Sequence, residues 1–308
     1  MKFSEIDFGY TSSETEQAEH PDLLINGYAD LKGMSNEAIE GKTFVFLGYK
    51  GSGKTGIGAR LKLLSLQRHD LFVTNISLKD FSYSQLAKVV RGDREPEATY
   101  PTAWSWLLMP YLFESLSSDA GAKVPPNEKF ENLLSALRQM GLSSNSDPSE
   151  IVRSSTKRSF QLFAPGQMGG IGFDTEGKMS LSELPDFVES AKSILRECRS
   201  GSKHIVVIDG LDEMLTVRRD QFRALGALLN ELLAVNQDFR RSGVPIKIVL
   251  LCRTDLFEII ECANKNKIRQ DYSFVIDWYH DPKEPDRSFL ISAVNSRARL
   301  SFGRAIDI

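Results

Sequence analysis

Residues 48 to 56 read GYKGSGKTG, and Gly48, Gly51, Gly53, Lys54 and Thr55 fit the pattern G-x-x-x-x-G-K-[ST]. The chemistry such a cluster supports is the holding of a polyphosphate. Glycines let the backbone curl so that successive N–H groups converge on one anion. The Lys54 ammonium adds a mobile point charge for β- and γ-phosphates, and the Thr55 hydroxyl is a hard oxygen suited to Mg²⁺. Lys50, Ser52 and Gly56 complete the candidate nucleotide-binding set. The competing reading is a glycine-rich turn that binds nothing. The flanks favour the cradle, because the pattern works only between a strand and a helix. TFVFLG (43–48) is a run of β-branched and aromatic residues that ends at glycine. KTGIGARLKLLSLQRH then spaces Ile57, Leu61 and Leu64 by four and three, which predicts an amphipathic helix. Its N-terminal donors and positive dipole end would face the same anion.

A second cluster lies in HIVVIDGLDE, where Ile205 to Ile208 predict a buried strand. Asp209 falls at its C-terminal end, where ligands bind in open α/β sheets, and can hold Mg²⁺ directly or through water. Asp212 and Glu213 follow, placed to orient and polarise a water aimed at a γ-phosphate. A solvated acidic turn is the alternative. KIVLLCRTDLFE predicts a further buried strand ending in Arg253 and Thr254. Arg253 could sense the γ-phosphate or stabilise charge during cleavage, unless it pairs with Asp255 or Glu258.

The elements that must position these groups alternate along the chain. Strands are predicted over 43–48, 71–78, 204–210, 246–252 and 272–278, with helices over 222–235 and 286–300. This pattern predicts an α/β fold: a mostly parallel sheet with helices on both faces. Residues 1–42 form a polar lead-in whose PDLLINGYADL is a short helix or docking segment; 43–308 carry the core. Residues 79–200 read as a mixed insertion: helices in FSYSQLAKVVRG, TAWSWLLMPYLFESL and ELPDFVESAKSILREC, and two short strands in FQLFAPGQMGGIGFD. Its SSDAGAKVPPN and GLSSNSDPSE stretches are loop-like. The aromatic stretch 100–116 is either buried core or a partner or protomer surface.

Bulk composition narrows the classes. The 308 residues are 41% hydrophobic and 26% charged, with a net charge of −3, so no global basic field draws nucleic acid or an anionic membrane. Three cysteines without a C-x-x-C pair argue against a disulfide framework or zinc site. The four histidines are scattered, and His204 reads as a surface residue rather than a metal ligand. The N-terminus lacks the apolar core of a signal peptide, and no apolar run approaches the roughly 20 residues that span a bilayer. A cytoplasmic protein is expected.

Taken together, the three motifs resemble those of additional-strand P-loop ATPases, the division that includes AAA and STAND proteins. VVIDGLDE is similar to the second acidic motif of NACHT and related STAND ATPases, where a small residue follows the metal-binding aspartate and further acids come two or three positions later. FVFLGYKGSGKTGIGARL, IDGLDE and LLCRTDLFE together resemble bacterial P-loop ATPases near the KAP and STAND branches, which often accompany mobile or antiviral-defence genes. The likeness covers 43–66, 203–215 and 246–259, with DFGY as an N-terminal lead-in. It implies strand order 5-1-4-3-2 with the 246–252 strand between the first and third. It also implies Mg²⁺-dependent ATP binding and hydrolysis in a nucleotide-controlled switch or assembly module, acting with a homo-oligomer or protein effector. Two departures stand out. About 150 residues separate Thr55 from Asp209, more than a minimal core requires. AAA and STAND proteins also continue into a helical lid, expected here to be absent or truncated. Arg297, Arg299 and Arg304 are weak candidates for its sensor and read as surface arginines. A small-molecule P-loop kinase and a non-hydrolysing nucleotide-binding scaffold are the alternatives; a DNA-translocating motor fits the acidic balance poorly.

Overall fold

Continuous apolar runs rather than alternating ones mark strands covered on both faces; the three inner strands carry them, the two edge strands do not, and all five segments build one sheet. They are β1 (Val45–Gly48), β2 (Leu71–Ser77), β3 (Lys203–Asp209), β4 (Ile246–Arg253) and β5 (Ser273–Val275). The computed structural model describes residues 5–86, 88–89, 96–126, 128–156, 184–211, 219–278 and 289–302. The sheet order is β2-β3-β4-β1-β5, and every pairing is parallel. Counted from the β5 edge it reads 5-1-4-3-2, with β4 between β1 and β3.

Side chains alternate across the sheet with period two. Phe46, Ile205, Val207, Val249 and Leu251 face a core shared with α3 (Met34–Glu40) and α4 (Lys54–Gln67). Val45, Leu47, Val206, Ile208, Ile248 and Leu250 face the opposite, larger core. On that second face α6 (Pro96–Ser117) and α10 (Arg219–Ser242) pack on the sheet, and α9 (Leu184–Glu197), α5 (Tyr83–Leu86), α7 (Lys129–Gln139) and α8 (Pro148–Thr156) pack with them in the same core.

The described part of the 79–200 segment is therefore structural, forming one layer of the domain. Trp104, Trp106, Tyr111 and Phe113 are all buried in that layer, which removes the partner-surface reading of the aromatic stretch. Both indoles are also satisfied: Trp104 Nε1 donates to Ala224 O and Trp106 Nε1 to Ser155 Oγ, each at 2.8 Å. The described elements of this segment are helical, and the two strands expected around 160–174 lie outside the described residues. The expected loop over 141–150 ends where α8 begins at Pro148.

Three expectations change. The first is the single apolar face expected for α4. Ile57 and Leu61 pack on the sheet, but Ala59 and Leu63 pack with Leu24 on the other side, so α4 is sandwiched. The outer layer is α1 (Ser13–Glu19) and α2 (Pro21–Ile25), and Arg60 Nη1 donates to Leu24 O and Ile25 O to hold it there. The second concerns His204, which is fully buried within β3 rather than on the surface. Its ring stacks on Phe72 at 4.9 Å, with Nδ1 2.9 Å from Ser115 Oγ and Nε2 3.3 Å from Asp119 Oδ2. Burial pushes the imidazole pKa down, against the upward pull of the Asp119 carboxylate. The third is Arg297, in α13 (Phe289–Phe302), whose Nη1 forms an ion pair at 2.6 Å with the buried Glu16 of α1. Arg299 is exposed, as read, and Arg304 lies outside the described residues.

Candidate functional site

β1 ends at Gly48 and α4 begins at Lys54, so the glycine cluster is the turn between a buried strand and a buried helix. Gly51 and Gly53 both have φ +81°, in the left-handed region that side chains avoid. At Gly48 the constraint is space: a Cβ there would lie 2.2 Å from Ser52 Oγ. Lys54 is only 4% exposed, and its Nζ folds back over the loop to donate to Gly48 O at 3.2 Å and Tyr49 O at 3.1 Å. Ser52 Oγ is buried in the loop with no hydrogen-bond partner among the described residues. Leaving a buried hydroxyl unsatisfied costs about 1–3 kcal/mol, a cost that a bound oxyanion would remove. Trp278, three residues past β5, braces the loop from the side: its Nε1 donates to Ser52 O at 2.9 Å. Lys50 is exposed, and Gly56 lies under α1, where a Cβ would come within 3.4 Å of Ser13 Oγ.

Beside the loop, at the C-terminal edge of β2 and β3, is a cavity of about 310 Å³. Thr55, Ser77 and Asp209 line it, together with Glu14 and Gln17 from α1 and Lys79. Residues far apart in the chain are thus brought together by the parallel pairing of β2 with β3 and the packing of α4 on the sheet. The end of β3 is fixed tightly. Leu78 N donates to Asp209 O at 2.8 Å, and Gly210 N donates to Asp209 Oδ1 at 2.7 Å. Gly210 has φ +85°, and a Cβ there would lie 2.6 Å from Lys79 N.

Among the described residues no three or more His, Cys, Asp or Glu gather as a metal site. The oxygens on offer in the cavity, a hydroxyl from Thr55 and a carboxylate from Asp209, suit a hard cation. Mg²⁺ is commonly held by one or two carboxylates, with phosphate oxygens and water completing the shell. The donor set therefore fits an ion that arrives with its phosphates.

Of the remaining candidates, Arg253 lies at the end of β4, paired in register with Gly48. Its guanidinium forks the Asp255 carboxylate, with Nε 2.9 Å from Oδ1 and Nη2 on Oδ2. That bidentate hydrogen bonding holds the Asp255 carboxyl below its ordinary range. Asp212 and Glu213 lie outside the described residues. Sequence reasoning missed Trp278, Glu14, Gln17, Ser77 and Lys79. The position of Ser77 at the end of a predicted strand, with Lys79 just beyond it, was a usable signal; the other three reach the site only through tertiary packing. Comparison of the chain with family models, with curated proteins and with solved structures gives no match. Among the described residues no helix is long and apolar enough to cross a membrane.

Proposed function

We propose that this chain binds Mg²⁺–ATP and hydrolyses it, as a P-loop ATPase of the STAND, NACHT and KAP-like kind. The observation that carries the reading is that Thr55 and Asp209 line one cavity beside the loop that buries Lys54. In this reading the Gly48–Gly53 backbone cradles the phosphates, and Ser52 Oγ gains the partner it lacks. Lys54 exchanges its two carbonyl acceptors for β- and γ-phosphate oxygens. Mg²⁺, held by Thr55 and Asp209, would neutralise charge on the β- and γ-oxygens. Asp212 or Glu213 polarises a water that attacks the γ-phosphorus as the bond to the β-phosphate oxygen breaks, giving ADP and inorganic phosphate. Arg253 spends Nε and Nη2 on Asp255, and its sensor role would use the remaining Nη1 or an opening of that pair. The resemblance adds a nucleotide-controlled switch or assembly module in the cytoplasm, working through self-association or a protein effector, with bacterial antiviral defence as its setting.

Steady-state phosphate release tests the reading. Wild type turns over ATP; Lys54→Ala loses binding and turnover; Glu213→Gln keeps binding and hydrolyses far more slowly. Equal turnover in all three would dispose of the mechanism. Tight binding with no turnover in wild type would instead favour the non-hydrolysing scaffold.

A further inference from the structure

The N-terminal helix α1 is not needed to form a phosphate loop, yet it stands at the metal side of this one. It packs on the first turns of α4, close enough that a Cβ on Gly56 would meet Ser13 Oγ at 3.4 Å. Ser12 caps it: its hydroxyl accepts from Thr15 N at 3.3 Å and donates to Glu14 Oε2 at 2.7 Å. Glu14 and Gln17, three residues apart, share one face of the helix, and both line the cavity that holds Thr55 and Asp209. Glu16, about 200° further round at roughly 100° per residue, turns away to the Arg297 ion pair. One short helix thus presents a carboxylate to the cavity and is tied by another to the C-terminal α13.

A carboxylate facing a triphosphate is repelled unless a cation stands between them. Resting on the Mg²⁺–nucleotide reading above, we propose that Glu14 is a third protein oxygen group for the metal, beside the Thr55 hydroxyl and the Asp209 carboxylate. It acts directly or through one bound water. The three groups come from α1, α4 and β3, so binding of the metal–nucleotide complex clamps α1 onto the domain. The Glu16–Arg297 pair then passes that clamp to α13, the last described element of the chain. Two carboxylates and a hydroxyl are within what Mg²⁺ takes from protein when phosphates supply other ligands.

The test titrates Mn²⁺, read by electron paramagnetic resonance, into the full chain held with a non-hydrolysable ATP analogue. Wild type is compared with Glu14→Gln, Glu14→Asp and Lys54→Ala. Loss of a supporting metal-shell group commonly costs about 10- to 100-fold in metal affinity, and Glu14→Gln is expected in that range, with Glu14→Asp between it and wild type. Removing the charge also relieves repulsion, so metal-free analogue binds Glu14→Gln as tightly as wild type or more tightly. Weaker binding with metal and no weakening without it are the signature, since misfolding would weaken both. Glu14 is exposed, and thermal melting checks that its variants fold. Metal affinity unchanged in Glu14→Gln, with wild type binding the analogue, would overturn the proposal and leave the ATPase reading intact. A wild type that binds the analogue no better than Lys54→Ala would take down the underlying reading as well.

Discussion

Replacing Lys54 by alanine removes the one buried ammonium in the loop, and its effect on nucleotide affinity can be worked from its contacts. In the structure the ammonium donates to Gly48 O and Tyr49 O, at 3.2 and 3.1 Å. In the proposed reading, binding would exchange these for phosphate oxygens that carry formal charge. Hydrogen bonds to charged groups contribute about 1.5–3 kcal/mol each against about 1 kcal/mol for ordinary ones. Two exchanged bonds, less the carbonyl bonds given up, leave a net gain of about 1–4 kcal/mol. At about 1.4 kcal/mol per tenfold, that is a loss of ~5- to 700-fold in ATP affinity for Lys54→Ala. Lys54→Met, which keeps the length and loses the charge, should lose as much. Isothermal titration calorimetry of Mg²⁺–ATP into each protein measures the difference. The loop carbonyls freed in the variant can turn to water, so the fold should persist, with a melting shift within about 4 °C. Affinity within about threefold of wild type, roughly half the energy of a factor of ten, would refute the assignment of Lys54 to the phosphates.

Further expectations concern the scaffold. Gly226→Ala places a Cβ 2.1 Å from the backbone oxygen of Glu261, so α10 or its neighbour must shift. The cost is about 1–3 kcal/mol, read as a lower denaturation midpoint, with little change in nucleotide affinity. Burial lowers the folded pKa of His204 below its unfolded value. The unfolded chain therefore takes up the proton first, and stability should fall as pH drops below about 6.5, by up to ~1.4 kcal/mol per pH unit. Asp119, which burial alone would raise, is held lower by hydrogen bonds from Ser200 and Gly121 N. Its contribution is lost only as pH falls below about 4, under the window that reports His204. Urea melts of wild type and His204→Phe between pH 5 and 7 compare the two slopes; equal slopes would remove His204 as the cause.

Much of the architecture was legible because inner parallel strands read as unbroken apolar runs. IVVI and IVLL announced β3 and β4 with bounds close to those observed. The local chemistry of the loop was legible for a similar reason: left-handed glycines and a close-packed Gly48 leave a fixed pattern in consecutive residues. Where the reading erred, one residue or one helix served two neighbours. His204 looked like a polar residue ahead of a strand, and only the Asp119 and Ser115 side chains from another helix and its end make it a core residue. α4 looked one-sided until α1 and α2 covered its back. α7 was passed over although Phe130, Leu133, Leu134 and Leu137 recur at helical spacing and are all buried. Trp278 and Glu14 left no local trace at all, since their places depend on contacts more than two hundred residues away or on the docking of the N-terminal layer.

The central claim is that Thr55 and Asp209, joined only by the fold, share one divalent cation with a bound nucleotide. Its most direct test is ATP affinity measured by calorimetry across a Mg²⁺ series for wild type and Asp209→Asn. The account predicts that Mg²⁺ strengthens ATP binding to wild type and that most of this gain disappears in Asp209→Asn while metal-free binding persists. An identical Mg²⁺ dependence in the two proteins, or no heat from either, would contradict it.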